Sequence, residues 1–162
     1  MALTPAQLTT LKAAILADGT LNAYPNTIDG AFDMAAQKLN QVASPVFTVW
    51  KTNVPIASVG VGFSGTELAG MTTGNQTRLQ TIGVYFPTGV NPSIVDVRQM
   101  FDDIFSGAGG ATTRANLAAI WRRPAKMIEK IFASGTGSDA VPATMTWEGG
   151  IGYQDVLDAR NS

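Results

Sequence analysis

The sequence predicts a mainly α fold: a single-domain helical bundle with a short β-strand or hairpin and an extended arm near the C-terminus. Three observations carry that reading. Apolar residues recur at three- and four-residue intervals along most of the chain, and each run is bracketed by cap and stop residues. Strict alternation is confined to one place, where Ala143, Met145 and Trp147 interleave with Thr144, Thr146 and Glu148. The length of 162 residues suits one domain, and there is no internal repeat.

The elements follow in order. Thr4 is a helix N-cap, Pro5 fits the first helical position and Gln7 completes a capping box. Leu8, Leu11 and Ile15 share a face, and Asp18-Gly19 stops the helix. After a turn-rich connection, Phe32, Ala35, Ala36 and Leu39 repeat at helical spacing, with Thr27 or Asp29 as cap and an end near Asn40. "ASPVFTVWKTNVP" opens like a helix at Ser44-Pro45 but is rich in β-branched and aromatic residues; it reads as a short helix. Ser64 with Glu67, and Thr73 with Gln76, make two further capping-box patterns. The second opens a helix with Leu79, Ile82 and Phe86 on its face, ended by Pro87. Ser93 caps a helix with Ile94, Val97, Phe101 and Ile104 along one side and Gly107 as its stop. The next runs from Thr113 through Leu117, Ile120 and Trp121. Pro124 either kinks it or begins a new one with Met127, Ile128, Ile131 and Phe132. After the alternating strand and Gly149-Gly150, "YQDVLDAR" is long enough for about two helical turns. The count is five or six short helices, as a helical body over 1–135 and an interaction arm over 136–162.

Composition narrows the function. Apolar residues make up 45% of the chain and charged residues 14%, against a usual charged share of roughly 25%. A surface with so few charges is expected to be covered in part by other protein. Eleven Lys/Arg against twelve Asp/Glu give a formal charge of −1, without the basic excess of a dedicated nucleic-acid binder. There is no cysteine and no histidine, which excludes disulfides, thiolate metal sites and the commonest general base. The N-terminal stretch lacks the basic start and unbroken apolar core of a signal peptide, and no run is long enough to span a membrane. The reading is a soluble protein that is not an enzyme, with no catalytic residue, cofactor or metal.

The candidate motifs resolve the same way. "SGAGG" (106–110) and "SGTGS" (134–138) lack the Lys-Ser/Thr of a phosphate loop and follow helices, so they read as stops and turns. Asp102-Asp103 are neighbours on a helix and point about 100° apart. Arg114, Arg122, Arg123, Lys126 and Lys130 form a basic stretch, within which Arg122, Lys126 and Lys130 fall at i, i+4 and i+8. Such a stripe meets DNA or an acidic partner, or simply complements helix dipoles. Met145 and Trp147 lie on the apolar side of a strand that needs a partner. That partner is local (Ile151–Tyr153), or on another chain, or the segment packs on its own helices. Met145, Trp147, Ile151 and Tyr153 are the candidate interface residues.

The opening "MALTPAQLTTLKAAILAD", the stretch "ASPVFTVWKT" and the ending "RRPAKMIEKIFASGTGSDAVPATMTWEGGIGYQDVLDARNS" resemble a family of small tailed-bacteriophage virion-region proteins, over roughly residues 1–52 and 93–162. In size and architecture the chain is similar to head-to-tail adaptor proteins. That resemblance implies a ring of about twelve copies between portal and tail, made in the host cytoplasm and located in the virion neck. It also implies portal and tail proteins as partners, with packaged DNA as a further contact. Tail completion, capsid decoration and a nucleic-acid-binding accessory role are the alternatives.

Overall fold

The computed structural model describes residues 3–25 and 29–162. In chain order the elements are α1 (Pro5–Ala17), α2 (Gly19–Asn22), α3 (Asp29–Leu39), β1 (Thr48–Trp50), β2 (Val54–Pro55), α4 (Ile56–Val61), α5 (Gly65–Ala69), α6 (Thr73–Tyr85), β3 (Gly89–Val90), α7 (Val95–Ile104), α8 (Ala111–Trp121), β4 (Arg122–Pro124), α9 (Met127–Ile131), β5 (Ala133–Ser134), β6 (Thr144–Met145) and α10 (Tyr153–Asn161). The fold is mainly α, with ten α-helices among the described residues where the periodicity predicts five or six. The extra helices are one or two turns long, too short to print a repeat. The strands form three two-stranded sheets, β1-β4, β2-β3 and β5-β6.

The chain forms two compact units, one from residues 1–49 and 124–162, the other from residues 50–123. The first is built on α1, α3 and α10. Thr4 caps α1 as its sequence predicts: its hydroxyl accepts the Gln7 N–H at 3.3 Å, and the Gln7 side chain accepts the Thr4 N–H at 2.9 Å. Asp18 ends α1 and also starts α2, its carboxylate accepting the N–H groups of Thr20 and Leu21 at 2.9 Å each. Of the two cap candidates for α3, Thr27 lies outside the described residues, as does the side chain of Asp29. Leu11, Ile15, Leu21, Phe32, Leu39, Ile128, Ile151 and Val156 form one buried cluster, and full burial of each large side chain contributes about 1.5–3 kcal/mol. Three of these positions belong to α10, its approach or α9, so the end of the chain closes the core that its beginning opens. Arg160 fastens it further, donating to the carbonyls of Tyr24 and Leu21 at 2.7 and 2.8 Å.

The C-terminal stretch, expected as an arm over 136–162 beside a body over 1–135, packs within the first unit. A correction concerns 44–50, read as a short helix. Its backbone is extended, because pairing partners lie along it: Ala125 N–H donates to Phe47 O at 2.8 Å, Thr48 N–H to Gly137 O at 2.7 Å, and Ala143 N–H to Thr48 O at 2.9 Å. Tertiary pairing realises the β propensity of Val46, Phe47 and Val49 over the helix-start signal of Ser44-Pro45. Val49, Ala125, Ala143 and Met145 make a small buried cluster there.

The second unit is a contiguous segment. Val54, Val59, Ile82, Val90, Val97, Phe101, Leu117 and Trp121 form its core, with Phe101 edge-on to Trp121 at 5.2 Å. Pro87 lies just past the end of α6, and Ile82, Leu79 and Phe86 pack inward, as their spacing predicts. The caps shift by one residue. Thr72 rather than Thr73 caps α6, accepting the Asn75 N–H at 3.3 Å. Ile94 rather than Ser93 takes the cap position of α7, because Ser93 turns its N–H and hydroxyl onto the Asn91 side chain. Pro124 ends β4, and α9 begins anew beyond it.

Candidate interaction surfaces

The four expected interface residues come together within the first unit, facing inward. Strand β6 pairs antiparallel with β5, in register Ala133↔Met145 and Ser134↔Thr144. Its partner within the chain thus lies just upstream rather than at Ile151–Tyr153. Met145 and Ile151 are buried. Trp147 is half-buried, edge-on to Phe132 at 5.6 Å, and Tyr153 is edge-on to Phe32 at 5.6 Å. The loop between strand and helix is held by polar contacts. Lys126 Nζ donates to Gly149 O at 2.9 Å, and Gly149 N–H to Glu129 Oε1 at 3.3 Å. Glu129, only 1% exposed, also accepts the Lys126 N–H at 2.8 Å. Asn40 exchanges two hydrogen bonds with the Ile151 backbone, at 2.7 and 3.0 Å. These are the contacts of a fixed segment, satisfying buried polar groups as a core requires.

The basic stretch does not make a stripe. The chain leaves the helix at Arg122, so the i, i+4, i+8 geometry is lost: Arg122 and Arg123 lie on β4 and Lys126 is the N-cap of α9. Arg114, Arg122 and Arg123 belong to the second unit, Lys126 and Lys130 to the first. Several of these cations are engaged within their own unit. Arg114 donates to the carbonyls of Phe105 and Gly107, Lys126 to Gly149, and Lys130 sits over the Phe47 ring at 5.6 Å.

The glycine clusters act as turns. Gly107 (φ 70°) ends the α7 region, and Gly137 (φ 65°) passes directly beneath Phe47. Asp103 accepts a hydrogen bond from Gln99 at 2.7 Å on the outside of α7. Among the described residues no group of three His, Cys, Asp or Glu side chains is placed to hold a metal, and no helix is long and apolar enough to cross a membrane.

Glu67 has a role that its capping-box spacing misses. It caps not its own helix but α8, accepting the N–H groups of Thr112 and Thr113 at 2.9 and 2.8 Å. The buried Thr113 hydroxyl in turn accepts the Ser64 N–H at 3.0 Å. The Thr113 side chain and the two N–H groups, against a smaller opposing effect of burial, hold the Glu67 carboxyl down at about 2. No local pattern joins positions 67 and 112, so the sequence carries no signal for it.

Exposed apolar side chains stand on both units. On the second unit an open groove of about 450 Å³ runs between α6 and α7, lined by Ile82, Tyr85, Met100 and Ile104, with Arg78 and Asp103 beside them. Tyr85 and Val84 are each 76% exposed and Val61 81%. On the first unit Leu16, Met34, Val42, Val46 and Val141 stand exposed. The geometry defines a mainly α protein with exposed apolar side chains on both units. No family model matches the chain, and neither a curated protein nor a solved structure is significantly similar to it.

Proposed function

We propose that the protein is a structural subunit of a tailed-bacteriophage virion, an adaptor that assembles as a ring at the head-to-tail junction. Its neighbours are the portal on one side and a tail protein on the other. The observation that carries the reading is the exposure of large apolar side chains on both units of a chain with few surface charges. Such side chains gain about 25 cal/mol per Å² when a neighbour covers them, and a closed ring covers them with one repeated contact. The nucleic-acid reading has less support, because Arg114 and Lys126 are hydrogen-bonded to backbone carbonyls. The test is to image the purified full chain alone and with portal protein, and to locate it in virions by labelling. Rings bound to portal support the reading. A chain absent from virions, or one that never binds portal, overturns it.

A further inference from the structure

We infer that copies of this chain bind one another through unlike faces, the α6/α7 groove of one copy receiving the outer face of α3 from the next. The inference deepens the ring assembly proposed above and rests on that reading for its setting.

The first argument is charge. Residues 1–49 and 124–162 carry five Lys/Arg and eight Asp/Glu, net −3; residues 50–123 carry six and four, net +2. A contact between two first units, or two second units, sets like charge against like. A contact between a first unit and a second unit sets opposite charges together, which favours that pairing and disfavours the others. Repetition of such a heterologous contact gives a ring when the rotation closes.

The second argument is what each face presents. In the groove the apolar floor is Ile82, Met100 and Ile104, and the cation at its edge is Arg78. The Arg78 side chain is exposed and, among the described residues, makes no hydrogen bond. On the first unit the outer side of α3 exposes Asp33, Met34 and Gln37. Met34 is the one exposed large apolar side chain of that unit, among the described residues, with an acid next to it in sequence. The Asp33 carboxylate accepts a hydrogen bond from Gln37 at 3.0 Å, which leaves its other oxygen for a partner. The neighbouring helix α10, which packs against α3, carries two further acids, Asp155 and Asp158. Met34 thus supplies an apolar knob for the groove floor while Asp33 meets Arg78. Asp103, bonded to Gln99 on the α7 side, repels a carboxylate and keeps Asp33 to the Arg78 edge.

The experiment uses charge reversal in the full chain. Arg78→Glu and Asp33→Arg are at exposed positions, so each variant is expected to melt like the parent. Each alone weakens self-association by about tenfold or more, read by sedimentation at low and high salt. Both reversals combined in one chain restore assembly, because every interface then sets the new glutamate of one copy against the new arginine of the next. Variants that assemble like the parent overturn the contact and leave the ring standing. Restoration of Arg78→Glu by Asp103→Arg, and not by Asp33→Arg, also overturns it, in favour of a symmetric groove-to-groove dimer. A parent chain that stays monomeric alone and with portal overturns contact and ring together.

Discussion

Replacing Ile151 by alanine distinguishes a core from an arm. Ile151 is 5% exposed and packs in the cluster that α1, α3 and α10 share, while its backbone exchanges two hydrogen bonds with Asn40. The substitution removes most of the side chain from a packed site whose neighbours come from separate segments and collapse only in part. Large-to-small changes of this kind cost about 2–5 kcal/mol. For a chain of this length each kcal/mol moves the melting temperature by roughly 2–4 °C. The expected outcome is a fall of about 4–20 °C in the calorimetric transition, with self-association per folded molecule unchanged. Trp147→Ala, at a half-buried site edge-on to Phe132, is the companion variant and should fall by less. The reasoning is refuted if Ile151→Ala melts with the parent while ring formation or portal binding drops. That result would mean the C-terminal stretch detaches from its own chain and inserts elsewhere.

Gly137→Ala should destabilise strongly: the backbone sits at φ 65° and an added Cβ would fall 2.1 Å from the Phe47 ring. A denaturant midpoint equal to the parent's would show that the 135–138 loop shifts freely. Glu67 gives a pH signature. Its folded value of about 2 lies below the ordinary value of 4.5, so its contribution is complete above 4.5 and is lost as pH falls toward 2. Glu67→Gln should remove that part of the acid dependence, since an amide does not titrate, and should lower stability at neutral pH, since it turns an NH2 donor toward one of the two N–H groups that Glu67 satisfies. Parallel urea midpoints for parent and variant between neutral pH and acid would contradict the assignment.

Sequence reading recovers what is local. The Thr4, Pro5 and Gln7 signal marks α1 because capping is settled within one turn, and the Phe32 to Leu39 spacing marks α3 because periodicity needs no partner. Failures occur where a distant partner decides. The extended backbone at 46–49 depends on Gly137, Ala125 and Ala143, and the Glu67 cap on a helix N-terminus 45 residues ahead. The strand at Thr144–Met145 is visible as alternation, but its mate, two residues at Ala133–Ser134, is too short to alternate. The basic stripe fails for a related reason: it assumes a continuous helix through Arg122, where the chain turns into a strand before Pro124. The exposed groove is the least legible feature. Tyr85 and Val84 are ordinary apolar residues in the sequence, and only the course of α6 puts them outside.

The order of synthesis acquires meaning from the way the first unit is divided. Its two pieces, residues 1–49 and 124–162, are separated by the whole of the second unit, which is continuous from 50 to 123. On the ribosome, chain emerges N-terminal first at about 5–20 residues per second, so α1, α2 and α3 are outside several seconds before α10 exists. Until then Leu11, Ile15 and Phe32 lack the Val156 and Ala159 surface that buries them, whereas Phe101 and Trp121 can already meet. The inserted segment is therefore positioned to fold first, and the α1, α2 and α3 region waits as an unsealed apolar surface. A nascent chain stalled before residue 150 should show protease resistance over 50–123 and cleavage within 1–49, and completion of the chain should protect both.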